Sequence, residues 1–237
     1  MLSPEELRKR QIQTILMNEK NGGGWPPFVR DNLVLYVPFW SVDKQAASFT
    51  SKGSSQHTVT VTGATWGSQG RVFDGDDLIE VTNNAVFGFT NNFSIEVWFK
   101  AVAPADYPYI IARGIFGSAK HGWGIRVEAG ATNLQFHVCD GTSLYATASI
   151  AFTSDTWTHV VCTFARPTGL VYVNGVVSAN TLTADAVIDN YNDEITIFRN
   201  IERTTFLTGS MGEVRLYSDV LTPAEVTNNY TVTKWRY

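Results

Sequence analysis

One stretch of strict alternation limits the fold more than any other feature. In FSIEVWFKA (93–101), apolar side chains occupy every second position, and a period of two predicts a β-strand with one face in a core. The apolar positions are Phe93, Ile95, Val97 and Phe99. The opposite face would carry Glu96 and Trp98. That face could be a sugar-cleaving surface, a sugar-binding surface or only the outer wall of a sandwich.

Further short segments alternate in the same way, and turn residues separate them. They are HTVTVTG (57–63), GWGIRVEA (122–129), NLQFHVC (133–139), THVVCTF (158–164), LVYVNG (170–175), EITIF (194–198) and GEVRLY (212–217), after an apolar strand LVLYVPF (33–39). Asp140-Gly141 and Asn174-Gly175 are typical hairpin turns. The pattern predicts an all-β, two-sheet antiparallel sandwich. One short C-terminal helix is predicted after Thr222, where Pro223 and Glu225 complete a capping box.

The first 27 residues differ from the rest and predict a separate helical arm. Ser3, Pro4 and Glu6 form a helix start, and NGGGWPP (21–27) is typical of a linker. A narrow apolar stripe comprises Leu7, Ile12, Ile15 and Leu16. Such a helix is marginal alone and needs a partner surface. It either packs on its own domain, predicted at 28–237, or anchors in another protein subunit of a larger assembly.

Charge and cysteine content exclude several classes of function. The net charge is −4, which argues against nucleic acid as a partner, and no apolar run suggests membrane insertion. The N-terminus lacks the apolar region of a signal peptide, so we expect synthesis in the cytoplasm. Cys139 and Cys162 are predicted to be free buried thiols, with a single bridge as the alternative.

Eight ordered blocks resemble the laminin-G-like, concanavalin-A-like jelly-roll superfamily between residues 33 and about 230. They are RVFDGDDLIEV (71–81), NNFSIEVWFKA (91–101), YIIARG (109–114), HGWGIRVEAG (121–130), NLQFHV (133–138), DTWTHVVCTFA (155–165), GLVYVNGVVSA (169–179) and GSMGEVRLYSDVLTPAEV (209–226). The resemblance implies a jelly roll, a fold shared by lectins, glycanases and adhesion modules.

A second resemblance bears on function. DNLVLYVPFWS (31–41) and TVTGATWGSQGRVFDG (60–75) resemble a subgroup found among tailed-phage and environmental proteins. This resemblance implies a non-catalytic display protein on a virion surface, as a capsid decoration or fibre-type component anchored by the arm. The protein would then act on the virion or outside the cell after release, as a monomer or a homo-oligomer. A carbohydrate-binding, lectin-like module is the alternative.

A glycoside hydrolase on this fold is the hypothesis that the carboxylates disfavour. Glycanases need two carboxyl groups on either side of the scissile bond, and in this superfamily they usually alternate along one strand. The sequence has no such Glu-x-Asp-x-Glu pattern. Glu96 is predicted to be structural, hydrogen-bonded to a neighbouring strand. We therefore predict that the protein is not an enzyme, unless carboxylates from distant strands converge.

Two further sets of residues are candidate binding sites. Carboxylates that could hold calcium are Asp74, Asp76 and Asp77 of FDGDD (73–77), together with Glu213, which the resemblance brings to that turn. The alternative is that Asp74-Gly75 only makes a tight turn, so no cofactor is certain. Aromatic residues predicted at an exposed rim for glycans are Trp40, Trp66, Tyr107, Tyr109 and Tyr145. Residues predicted instead as wall or core are Trp98, Trp123 and Trp157.

Overall fold

Two antiparallel β-sheets packed face to face make up most of the chain. The structure is a computed structural model that describes residues 28–53, 55–114, 116–117, 119–189, 192–199 and 205–237. Within these ranges the strands are β1 Leu33–Pro38, β2 Ser48–Thr50, β3 Thr58–Thr62, β4 Thr65–Gly67, β5 Gly70–Phe73, β6 Leu78–Val81, β7 Asn92–Ala101, β8 Tyr109–Arg113, β9 Trp123–Val127, β10 Asn133–Cys139, β11 Leu144–Ala146, β12 Ile150–Ala151, β13 Thr158–Ala165, β14 Thr168–Val173, β15 Val176–Val177, β16 Leu182–Thr183, β17 Ile195–Ile197 and β18 Gly209–Tyr217. Short 3₁₀ turns lie at Val42–Lys44, Ala85–Phe87 and Lys234–Arg236.

The strands divide evenly between the two sheets. Sheet I has the order β15-β14-β13-β7-β18-β5-β4, with β1 beside β18 and β16 beside β14. Sheet II has the order β11-β10-β9-β8-β17-β6-β3-β2, with β12 beside β10. This arrangement confirms the predicted antiparallel sandwich. It also assigns the opening strand, β7, to the centre of sheet I between β13 and β18.

The alternation in β7 positions the core as predicted. Phe93, Ile95, Val97 and Phe99 are completely buried and belong to the large apolar cluster between the sheets. Sheet II contributes residues such as Ile125 and Phe136 to the same cluster. Because every second side chain of β7 enters this cluster, the intervening ones must lie on the outer face of sheet I.

The C-terminal helix, α1 (Pro223–Thr233), covers part of that outer face. Its start has the predicted capping box, in which Thr222 and Glu225 bond each other's backbone, and Pro223 occupies the first turn. A second apolar cluster lies outside the main core and includes Tyr217 of β18, Leu221 just before α1, and Val226 of α1. Sheet I is therefore buried on both faces beneath the helix.

The predicted turns and thiols agree with the structure. Asn174 and Gly175 have φ values of 50° and 81°, the left-handed pair that a tight two-residue hairpin between β14 and β15 requires. Asp140 accepts backbone hydrogen bonds from Thr142 and Ser143 and closes the turn between β10 and β11. Cys139 and Cys162 are both free and buried.

The predicted arm, with Leu7, Ile12, Ile15 and Leu16, lies outside the described residues, and its docking stays a prediction. In the part of the chain that is described, no helix has the length and apolar character needed to cross a membrane.

Candidate ligand groove

Glu96 lies at the centre of a buried polar network on the outer face of sheet I. The register of β7 with β18 and β13 aligns Glu96 with Arg215 and places His159 one strand away. The Glu96 carboxylate accepts hydrogen bonds from His159 Nε2 at 2.9 Å, Asn229 Nδ2 at 2.8 Å and the Tyr217 hydroxyl at 3.1 Å, and it forms an ion pair with Arg215. These partners confirm that Glu96 is bonded to neighbouring strands.

The same network extends to the C-terminal end of the chain. Arg215 Nη2 lies 2.7 Å from Glu213 Oε1, and Arg236 Nη1 lies 3.1 Å from Glu213 Oε2. Tyr36 and Trp40 also donate to Glu213 Oε2, at 3.3 Å and 3.2 Å. Both carboxylates are 1% exposed. They are therefore occupied by cations and donors and have no access to solvent.

The charges in this network determine the protonation of Glu96. Burial alone would raise its pKa, but the Arg215 charge and the hydrogen bonds from His159 and Asn229 favour the ionised form. Their combined effect lowers the pKa of Glu96 to about 2. Glu96 is thus a carboxylate at every pH at which the protein would work, and it lacks the raised pKa of a general acid.

Beside the network, between the end of α1 and the turn before β13, lies a groove with a cavity volume of about 510 Å³. Four aromatic residues line it: Trp98, Trp157, Tyr230 and Tyr237. Trp98 is 3% exposed and stacks on Tyr237, with ring centroids 4.5 Å apart and planes at 24°. These two rings form the base. Trp157 and Tyr230 are half-buried. The Trp157 ring packs on Tyr237, with centroids 4.6 Å apart, and the Tyr230 ring lies beside Trp98, with centroids 5.8 Å apart.

The groove is assembled from distant segments that specific contacts hold together. Gln69, in the turn between β4 and β5, donates to the backbone carbonyl of Arg236 at 2.7 Å and accepts from Trp157 Nε1 at 3.3 Å. It thereby links the turn before β13 to the C-terminal segment. Gly212 leaves room for the Tyr237 ring, because a Cβ there would overlap that ring.

Polar side chains surround the aromatic base. Asn174, Gln69 and Thr156 provide carboxamide and hydroxyl groups. Lys100 Nζ lies 3.2 Å from Asp155 Oδ1, and Asp155 has a left-handed backbone with φ of 51°. Lys234 Nζ lies 5.2 Å from the centroid of the Tyr230 ring. The groove thus offers flat apolar faces next to hydrogen-bonding groups, the combination common in small-molecule sites.

None of the five aromatic residues predicted at the rim lines this groove. Trp40 is covered by the Arg236 guanidinium, 3.7 Å from its ring. Tyr109 is 3% exposed and stacks under Phe116. Tyr107 is 47% exposed and lies over Arg126.

The other two members of that set are half-buried. Trp66 has a buried indole nitrogen with no hydrogen-bond partner within the described ranges. The Tyr145 hydroxyl donates to Asp140 at 2.8 Å. The Tyr145 side chain therefore contributes to the turn between β10 and β11.

The predicted calcium ligands are brought together only in part. Carboxylate oxygens of Asp74, Asp76 and Asp77 lie within 4.8 Å of one another. Asp77 is buried, accepts a hydrogen bond from the Asp74 backbone at 2.9 Å, and has a pKa raised by burial. Glu213 is not in this cluster, because its carboxylate is bonded to Arg215 and Arg236 instead. The cluster has the geometry of a side-chain-stabilised turn and is not in itself evidence of a cation.

Trp98 and Trp157, predicted from the sequence as wall or core residues, line the groove together with Tyr230 and Tyr237, for which the sequence alone predicts no site. One available signal was the outward position of Trp98 in the alternating β7 strand. Another was the spacing of Tyr230 and Lys234, which places both on one side of a helix.

The comparisons with known proteins place the fold in a family. The family model described as the concanavalin A-like lectin/glucanases superfamily matches residues 73–227. This chain belongs to that superfamily. A search of curated proteins finds no match. The phage-like subgroup has no support from these comparisons.

Solved structures share the fold at low sequence identity. The binding domain of botulinum neurotoxin DC in complex with SialylT has a TM-score of 0.66 and 16% identity, covering 85% of this chain and 51% of that one. The Trypanosoma rangeli sialidase in complex with sialic acid has a TM-score of 0.68 and 14% identity, covering 95% and 39%. The chain therefore spans about half or less of the length of these solved structures.

Proposed function

We propose that this superfamily member is a non-catalytic carbohydrate-binding module and that its ligand lies in the aromatic groove. The observation that carries the proposal is the pairing of two half-buried aromatic rings, Trp157 and Tyr230, with the exposed carboxamide of Asn174 in one groove. Aromatic faces pack against the apolar faces of sugar rings, and carboxamides bond hydroxyl groups as both donors and acceptors. A neurotoxin binding domain with the same fold is complexed with SialylT, which adds support at the level of the fold.

The carboxylates of sheet I support a binding role over hydrolysis. A glycosidase needs two carboxyl groups about 5–9.5 Å apart that reach the substrate. Glu96 and Glu213 are each 1% exposed and bonded to the same arginine, Arg215. Asp155 lines the groove but is paired with Lys100. Glu96 and Glu213 therefore do not reach a bound sugar, and Asp155 is the one side-chain carboxylate among the described residues that line the groove.

The experiment is a glycan array followed by titration calorimetry on the best ligand. We expect Trp157→Ala and Tyr230→Ala each to weaken binding at least about tenfold, which corresponds to about 1.4 kcal/mol. Tyr107→Ala is the matched control, since it removes an exposed ring outside the groove. Loss of binding in the Tyr107 variant alone would place the site at the loop that carries Tyr107. Activity of the wild type on the bound glycan would contradict the non-catalytic assignment.

Display on a virion surface is a separate proposal that rests on the arm and linker at 1–27. The two roles are compatible, because a surface-anchored module can bind glycans. In that case the protein is made in the cytoplasm and acts on the particle or outside the cell. Light scattering measures the solution mass of the full chain and of residues 28–237, and assembly that requires the arm supports anchoring. In a separate attachment assay, unchanged attachment of the shorter protein to its particle contradicts the proposal.

A further inference from the structure

The charges at the groove do not cancel. Of the described side chains that line it, three are charged: Lys100, Asp155 and Lys234. The ammonium of Lys100 lies 3.2 Å from the Asp155 carboxylate, so these two charges neutralise each other locally. Lys234 is exposed, and within the described part of the chain its ammonium has no carboxylate partner. One positive charge therefore remains, on a protein whose net charge is −4.

The positive charge of Lys234 lies close to the aromatic side chains of the groove. Lys234 is the residue after α1, four positions beyond Tyr230, so both side chains lie on one side of the helix. Its Nζ is 5.2 Å from the centroid of the Tyr230 ring. The carbonyl end of a helix stabilises a nearby ammonium but leaves its donors available to a ligand. An anionic group in the groove beside Tyr230 would meet these donors.

We propose that the groove binds acidic glycans, with a carboxylate-bearing sugar beside Tyr230 and its carboxylate held by Lys234. This inference rests on the proposed function and names its ligand class. A neutral sugar would leave the ammonium without a counter-charge. A nucleic acid backbone needs several cations to neutralise its phosphates, and the described part of the groove provides one lysine that is not paired with a carboxylate. Uronic acids and sialic acids both supply the required carboxylate on a sugar ring.

The test compares acidic glycans with their uncharged counterparts. An array carrying uronate-containing, sialylated and neutral glycans distinguishes the two carboxylate sources. Titration of the best acidic ligand and of its methyl ester then isolates the charge, because esterification leaves the ring unchanged. We expect the acid to bind about two- to fivefold more tightly than the ester, the range of one exposed ion pair, and the preference to shrink with added salt.

Two variants test whether Lys234 causes the preference for the acid over the ester. Lys234→Gln should bind acid and ester equally. Arg166→Gln is the matched control, because it removes one exposed positive charge outside the groove and should keep the preference. Melting temperatures of both variants should match the wild type.

Each outcome bears on a separate claim. A wild type that binds only neutral glycans, or that binds acid and ester equally, overturns the ligand class and leaves the proposed function standing. A preference that survives Lys234→Gln overturns the role of Lys234. A wild type that binds nothing on the array overturns the proposed function and this inference with it.

Discussion

Replacing Glu96 by Gln should destabilise the protein by about 3 kcal/mol at pH 7. The substitution keeps the size of the side chain but removes the charge that pairs with Arg215 and accepts from His159 and Asn229. Removing one partner of a buried ion pair costs about 3–5 kcal/mol. The lower end applies here, because Arg215 keeps its second partner, Glu213, at 2.7 Å.

The lowered pKa of Glu96, which has the same contacts as its cause, corresponds to a similar magnitude. A fall from its ordinary value of 4.5 to about 2 corresponds to about 3 kcal/mol of preference for the ionised form in the folded state. Because the folded pKa lies below the unfolded one, this stabilisation is fully present above pH 4.5 and is lost as pH falls towards 2. The difference between wild type and variant should therefore shrink across that window.

Urea unfolding followed by tryptophan fluorescence measures both effects. The free energy of unfolding is determined for wild type and Glu96→Gln at pH 7, 5, 4, 3 and 2. Glu128→Gln is the matched control, since Glu128 is only half-buried and its carboxylate bonds one hydroxyl, that of Ser149. A loss below about 1 kcal/mol at pH 7, or a difference that does not change down to pH 2, would refute the assignment of Glu96 to a buried ionic network.

Two further predictions concern the groove and the thiols. Gln69→Leu removes both hydrogen bonds that join the groove walls. We therefore expect glycan affinity to fall about threefold or more, while the melting temperature changes little. An unchanged dissociation constant contradicts this positioning role of Gln69. Burial raises the pKa of Cys139 to about 12, and that of the fully buried Cys162 well above its ordinary value, so Ellman's reagent should find two thiols in denaturant and almost none in the native protein at pH 8. Rapid labelling of the native protein would show that the core is open.

The sequence was sufficient for the fold because its signal is local. Alternation in β7 determines which side chains enter the core, and the turn residues Asn174-Gly175 determine where two strands reverse. The capping box at Thr222 likewise needs only four consecutive residues. Each of these features depends on neighbours in the chain, which is why the strands and α1 could be predicted before any contact was known.

The site could not be predicted in the same way, because its parts are far apart in the chain. Gln69, Trp98, Trp157 and Tyr230 meet only after sheet I has its strand order and α1 has docked on it. The solvent exposure of an aromatic side chain could not be predicted from its neighbours in the sequence either. Tyr109 lies at the start of β8, next to an irregularity in the register with β9, and Phe116 covers it.

The buried network explains why a face that is polar in sequence does not have to be catalytic. Glu96 and Glu213 look like isolated strand carboxylates, yet each alternates with apolar residues that face the core, and both meet Arg215 under α1. Apolar side chains there could stabilise the fold as well, since buried ion pairs are seldom better than good packing. The ion pairs also position other residues. Glu213 pairs with Arg236, and the backbone carbonyl of Arg236 accepts a hydrogen bond from Gln69 at the groove. The charges on sheet I thus determine the position of the C-terminal segment, and that segment forms one wall of the candidate site.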